Sequence, residues 1–407
     1  MTLVVDFRPE AELLLCCART RVEARTAERI GALLERELNW QFLIQTAVAH
    51  RVTPLLSTTL SATYPEAVPE PVLRELRDLV LTYAERDLLV AQELPRVLGV
   101  CEARGIRVIP FKGPLLAASV YGNLALRRFY DLDILVQSRD VLKASDALRS
   151  LMYRQEGHRA LGWEYHFVEE GGRWLVDLHE RVASRYFPTP ATFDELWTRR
   201  RPVVIDDKPI LTFGPEDLLL VLSVQLAKDC RSWKQRLMQI CDAAELIRTS
   251  PDLDWEFVLQ RARVIGGMRI LLLELRLANE LLDAALPERV HRIVYDDRAV
   301  RTLAEEVRAR LFPPPAGPGE ALPIGTGIPI SREDSWFHLR VRERVPDKLR
   351  YLCQVAQSRV STLVTPTYRD RSFLALPEPL GFLYYLVRPV RILLQWARTG
   401  RLKARAG

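Results

Sequence analysis

The sequence predicts an α+β protein, a small mixed sheet with helices enclosed by N- and C-terminal helical regions, on three observations. Apolar residues recur at helical spacing from Glu10 to about Val100, short β-rich runs take over between about 104 and 212, and helical spacing returns at Pro215. With 407 residues, 48% hydrophobic and 27% charged, the chain has the composition of a globular protein long enough for more than one domain.

The N-terminal helices are AELLLCCART, AERIGALLEREL, WQFLIQTAVAHR and the long VLRELRDLVLTYAERDLLVAQELPRVLGVCEA, punctuated by Pro65, Pro69 and Pro71 and stopped by Gly105. In the middle, IRVIPF reads as a strand, PLLAASVYG as a short helix closed by Gly122-Asn123, and YDLDILV as a strand with period-two alternation. EYHFVEE, RWLVDLHE and PVVID are further candidate strands. Proline and acids at Pro215-Glu216-Asp217 open the next helices, because both suit a first turn. PPPAGPGEALPIGTGIP is too rich in Pro and Gly for regular structure. The expected organisation is therefore a helical region 1–103, a core 104–212, a helical region 213–311, a linker 312–330 and a helical segment 331–407 with a basic tail.

No apolar run is long and uncharged enough for a membrane span, and the start MTLVVDFRPEAELLL lacks the basic and apolar blocks of a signal peptide. A cytoplasmic location is expected. The six cysteines are dispersed without metal-binding spacing, as suits thiols in a reducing compartment. The net charge of +6 fits a polyanionic ligand, but much of the excess lies at the C-terminus, where Arg388, Arg391, Arg398, Arg401, Lys403 and Arg405 meet no acid after Pro379.

The chemistry is concentrated in Phe111-Lys112-Gly113 and Asp131-Leu132-Asp133-Ile134. Residues i and i+2 of a strand share a face about 7 Å apart, so Asp131 and Asp133 project side by side. Paired carboxylates suit two Mg²⁺ ions that clamp the attacking and leaving oxygens of a displacement at phosphorus. Gly113-Pro114, at a strand-to-helix junction, presents helix N–H groups to an anion, with triphosphate the natural candidate and Lys112 or Arg127 to neutralise part of its charge. In WLVDLHE, Asp177 and His179 point to one face, placing a third carboxylate in register. Each feature has a plainer explanation: a D-x-D on a strand is weak alone, Lys-Gly pairs close turns, Arg127 and Arg128 are by default surface cations, and His179, like His50, His158 and His166, is by default a structural residue.

The joint order of strand, glycine, helix, D-x-D strand and later Asp strand is more specific. It resembles the DNA polymerase β-like nucleotidyltransferase superfamily. More closely, it resembles the bacterial family sometimes labelled nucleotidyltransferase 5, with its Leu-Lys-Gly loop, an Arg four residues before D-[LI]-D, and a later Val-Asp-Leu-His. Here those are Phe111-Lys112-Gly113, Arg127, Asp131-Leu132-Asp133 and Val176-Asp177-Leu178-His179. LLLCCART, VTPLL, PEDLLLVL, RLMQICDAAELI and YYLVRPVRILL extend the resemblance over nearly the whole chain. It implies a minimal polymerase β-like core, two Mg²⁺ ions on Asp131, Asp133 and Asp177, and transfer of an NMP from an NTP with release of pyrophosphate. Gln225 and Asp229 stand where the family often has histidine, so no role is carried over to them.

The acceptor stays open between a small molecule, a peptide, a protein side chain and an RNA end, with RNA least favoured because no aromatic-basic repeat marks a nucleic-acid surface. A noncatalytic binding or regulatory protein on the same scaffold is the alternative; burying three acids without a cation is costly and argues against it. Tyr384 to Arg405 could contact a membrane surface, but Pro389 interrupts that helix and docking on the core is preferred.

Overall fold

Proline in the first turn starts α1 (Pro9–Cys17), whose Leu13, Leu14 and Cys17 are buried, and Glu10 and Glu12 complement its dipole. α2 (Ala24–Leu34) follows, then α3 (Trp40–His50), capped by the Asn39 side chain accepting from the Phe42 N–H, and α4 (Thr53–Thr63), which VTPLL opens. The long apolar pattern forms one helix, α5 (Glu70–Glu102), which continues through Pro95. The computed structural model describes residues 7–156, 163–183, 186–230, 235–312, 332–364 and, within 383–391, all but 386 and 389. His158, the Pro/Gly-rich stretch from 313 and the basic residues from Arg398 onward lie outside the described residues.

The core runs β1 (Val108–Phe111), α6 (Gly113–Tyr121), β2 (Asp131–Val136), α7 (Val141–Ser150), β3 (Tyr153–Glu156), β4 (Glu164–Glu169) and β5 (Leu175–His179). These strands make one mixed sheet in the order β1-β2-β5-β4-β3, in which β2 and β5 are parallel and the other pairs antiparallel. Period-two alternation gives the sheet two unlike faces. Leu132, Ile134, Val136, Val176, Leu178 and Phe167 pack against Val90, Leu94 and Val97 of α5 and Ala144 and Leu148 of α7. Each such fully buried aliphatic or aromatic side chain is worth about 1.5–3 kcal/mol. The opposite face carries Asp131, Asp133, Asp177 and His179.

α8 (Phe193–Thr198), held by a Thr192 and Glu195 capping box, leads to a separate two-stranded hairpin of β6 (Arg201–Ile205) and β7 (Lys208–Thr212). β7 has no counterpart in the sequence reading, because the tight turn is made by Asp206 and Asp207 at φ 48 and 59 rather than by the usual Asn-Gly. Helices then return as α9 (Pro215–Cys230), α10 (Leu237–Thr249), α11 (Trp255–Ile265), α12 (Met268–Leu282), α13 (Glu288–Asp296), α14 (Arg298–Leu311) and α15 (Arg332–Arg340). All of these belong to a compact unit ending at Glu343; a second unit, Arg344–Gly407, contains α16 (Val345–Val364). Among the described residues no helix is long and apolar enough to cross a membrane.

Candidate active site

The parallel pairing of β2 with β5 sets Asp133 directly beside Asp177. Asp131 lies two residues earlier on the same face, so all three expected acids come to one side of the sheet. Ligand atoms of Asp133, Asp177 and His179 lie within 4.8 Å of one another, and those of Glu164, His166 and Asp177 form a second such group. Asp131 is not a member of either group and joins the first through its charge.

Each acid of the central pair has an imidazole on it. His179 Nε2 lies 2.8 Å from Asp133 Oδ1, and His166 Nδ1 lies 2.5 Å from Asp177 Oδ1. Lys112 Nζ approaches Asp133 Oδ1 at 3.8 Å. His179 is itself buried beside the rings of Phe111 and Trp163, at centroid distances of 5.2 and 5.9 Å. Sequence reasoning treats both histidines as ordinary structural residues and so misses them. Their signal is the strand register: His179 shares a face with Asp177, and His166 pairs directly across from Asp177 on β4. Glu164 is also on that strand, opposite His179, whereas Asp206 sits in the exposed hairpin turn.

Electrostatics separates the two acids of the D-x-D. Burial, reinforced by repulsion from Asp133 and Asp177, pushes the Asp131 carboxyl up to about 6. Burial acts on Asp133 in the same direction, but Lys112 and the His179 hydrogen bond outweigh it and hold that carboxyl below the usual carboxylate range. Among the described residues Lys112 is the one lysine or arginine within ion-pair distance of the three carboxylates, and Arg51 and Lys228 act on them from farther off. That donor set, rich in carboxylate oxygen, fits a hard divalent cation such as Mg²⁺.

The loop between β1 and α6 is strained where it meets the acids. Lys112 has φ 54 and ψ −143, a region that side chains rarely enter, and Gly113 follows at φ +44. A Cβ on Gly113 would sit 3.2 Å from the carbonyl oxygen of Asp131. The glycine is therefore required by the backbone and by β2, in addition to any approach of phosphate that was expected of it.

Arg127 is placed differently from the expectation. Its Nε and Nη2 donate to the two carboxylate oxygens of Asp242 at 2.7 and 2.8 Å, and Tyr121 donates its hydroxyl to the same carboxylate at 2.7 Å. Arg128 is bound to Asp87 at 3.2 Å. Both arginines are buried, which corrects the reading of them as surface cations: each is desolvated against a carboxylate that lies far away in sequence. Arg127 holds the loop before β2 to α10 and is committed to Asp242. Gln225 donates to the Val182 carbonyl at 2.8 Å and Asp229 accepts from Gln239 at 2.9 Å, so both serve as ties between segments.

The helices enclose a small mixed sheet with acids clustered on one face, and the sequence places the protein among the nucleotidyltransferases. The sequence matches the family described as uncharacterised nucleotidyltransferase over residues 36–283, more than half of the chain, and the protein belongs to that family. LLLCCART and YYLVRPVRILL lie outside the matched stretch. No curated protein matches the sequence. Among solved structures, the chain is similar to the antibiotic-resistance factor ANT(2″)-Ia at 14% identity, covering 44% of this chain and 91% of that one with a TM-score of 0.33. It is similar to the lincosamide antibiotic adenylyltransferase LnuA, solved with lincomycin bound, at 19% identity over 32% of this chain and 83% of that one, TM-score 0.26. An antigenic nucleotidyltransferase-like protein from Paracoccidioides brasiliensis shows 14% identity over 51% and 97%, TM-score 0.29. These likenesses are too distant to bear on the substrate.

Proposed function

We propose that the protein transfers a nucleoside monophosphate from a nucleoside triphosphate to a hydroxyl or phosphate acceptor, with Asp131, Asp133 and Asp177 holding Mg²⁺. The observation that carries this reading is the direct pairing of Asp133 with Asp177 across β2 and β5, with Asp131 on the same face and, among the described residues, Lys112 the one lysine or arginine within ion-pair distance of the three. Bound there, Mg²⁺ would neutralise these acids and the charge on the attacking and leaving oxygens. The acceptor oxygen forms a bond to the α-phosphorus as the bond from that phosphorus to the bridging oxygen breaks and pyrophosphate leaves. Asp177 is the carboxylate suited to receive the acceptor's proton, and His166, bonded to its Oδ1, fixes its orientation. His179 does the same for Asp133.

A small molecule, peptide or protein acceptor is favoured over RNA, and the cytoplasm suits the six free thiols. The decisive experiment incubates the protein with each labelled NTP, Mg²⁺ and host extract and identifies what becomes nucleotidylated. Label should be transferred by wild type and lost in Asp131→Asn and Asp133→Asn. Equal labelling by either variant would refute the assignment.

A further inference from the structure

The cations first expected at the triphosphate are already committed to carboxylates, Arg127 to Asp242 and Lys112 to Asp133. Two other arginines are not. α3 ends at His50, and Arg51 follows it in the left-handed conformation, φ 61; Arg236 is the residue from which α10 starts. The two helix ends are tied together. The Leu237 N–H donates to His50 Nδ1 at 3.1 Å, and His50 Nε2 lies 2.9 Å from the Leu311 carbonyl oxygen. A ring that accepts at Nδ1 must donate at Nε2 to reach that carbonyl, which describes one neutral tautomer. His50 is fully buried, and burial together with Arg236 lowers its pKa to about 4. It is an uncharged bracket. Arg51 and Arg236, each adjoining one end of that bond in sequence, are held within electrostatic reach of each other.

Two guanidiniums so placed repel. Burial and then Arg236 lower the pKa of Arg51, opposed only in part by Tyr130 and Asp131. Among the described residues no carboxylate stands within ion-pair distance of either arginine, in contrast to Arg127 and Arg128. The Arg51 guanidinium lies over the Tyr130 ring, 4.6 Å from its centroid, and Tyr130 immediately precedes Asp131. A ring face supports the guanidinium while leaving its in-plane N–H groups to meet an acceptor. The helix dipole accounts for a cation at the end of α3, but it does not account for a second arginine at the start of the helix that His50 ties to it.

We propose that Arg51 and Arg236 form the receptor for the polyphosphate chain of the nucleoside triphosphate. This rests on the nucleotidyltransfer reading above. Its content is that helices from both sides of the core complete the substrate site: α3 supplies Arg51 and α10 supplies Arg236. A polyphosphate is the ligand such a pair takes, because adjacent phosphoryl groups offer several acceptors to two N–H forks and relieve their mutual repulsion.

Inorganic tripolyphosphate with Mg²⁺, titrated calorimetrically into the full chain, tests the receptor without reference to the base; each of the four NTPs as a nonhydrolysable analogue is the second probe. Arg51→Gln and Arg236→Gln should each weaken both probes at least about tenfold, the loss of one charge-assisted contact. Arg51→Lys should recover part of the affinity. Arg104→Gln, at an exposed arginine bonded to Ser150, should leave it unchanged. Thermal unfolding checks each variant; should Arg51→Gln not fold, Arg51→Lys and Arg236→Gln carry the test. Wild-type affinity for the NTP analogues in folded Arg51 and Arg236 variants overturns the receptor and leaves nucleotidyltransfer standing. A wild-type protein that binds neither tripolyphosphate nor any NTP overturns both.

Discussion

Two clusters of buried charge lie within the same fold and differ in one respect. In the Arg127, Asp242 and Tyr121 cluster, the carboxylate accepts three hydrogen bonds and its charge is balanced by a bidentate guanidinium. In the Asp131, Asp133 and Asp177 cluster, Lys112 at 3.8 Å from Asp133 is the one lysine or arginine within ion-pair distance among the described residues, and one carboxyl is driven up to about 6. A balanced network serves to hold segments together. An unbalanced one costs stability in every state that lacks a cation, so its retention calls for a function.

The largest effect expected of this difference comes from one substitution in each cluster. Asp133→Asn should reduce nucleotide transfer to background, because it removes a charge that would hold the metal, and leave the protein folded, because the amide keeps the side-chain volume and can still hydrogen-bond His179. Asp242→Asn should do the reverse, destabilising the protein by about 3–5 kcal/mol because Arg127 keeps its charge with no counterion. Chemical denaturation of both variants beside a transfer assay separates them. Loss of fold in Asp133→Asn with little change in Asp242→Asn would erase the distinction.

Asp177 divides the labour within the acid cluster. Its strand is far in sequence from the Lys112-Gly113 loop, and it carries its own imidazole, so it should act mainly on the chemistry of the acceptor. Asp177→Asn should keep most Mg·NTP affinity while kcat falls at least about 100-fold, the lower range for loss of a general base. Loss of NTP binding as complete as in Asp133→Asn would remove that division. Full kcat would pass the role to Glu164, which shares the second ligand group with His166 and Asp177.

The contrast also explains what can be read in the sequence. Asp131, Asp133 and Asp177 are legible because strand periodicity is local, and two short patterns are enough to put them on one face. The parallel β2/β5 register that pairs Asp133 with Asp177 is consistent with those patterns but comes from the fold. Arg127 is misjudged for the opposite reason: its partner Asp242 lies 115 residues away, and no local pattern in ICDAAEL announces a buried acid waiting for an arginine. β3, only Tyr153–Glu156 and at the sheet edge, has one buried residue and so little alternation to detect. Arg51 carries no sequence signal, since its neighbour Arg236 comes from a distant helix and is brought in by His50.

The smallest effect is a pH dependence confined to the unbalanced cluster. Asp131 has its carboxyl raised to about 6 from an ordinary value of 3.8. A raised folded-state pKa means that the native state binds the proton more tightly than the unfolded chain does. The associated stability is therefore fully present below the unfolded value and is lost as pH rises through about 6. Without Mg²⁺, wild type should then become less stable relative to Asp131→Asn on going from pH 4 to pH 8, by about 1–3 kcal/mol, since one pKa unit is worth about 1.4 kcal/mol. The amide of the Asp131→Asn variant cannot titrate, so that protein should lack this part of the profile. Mg²⁺ should restore wild-type stability at pH 8 and do less at pH 4, where a proton already neutralises Asp131. Denaturant midpoints of both proteins across that range, with and without Mg²⁺, give the answer. Parallel profiles, or a Mg²⁺ effect of equal size at pH 4, would mean that Asp131 bears no more uncompensated charge than Asp242 does.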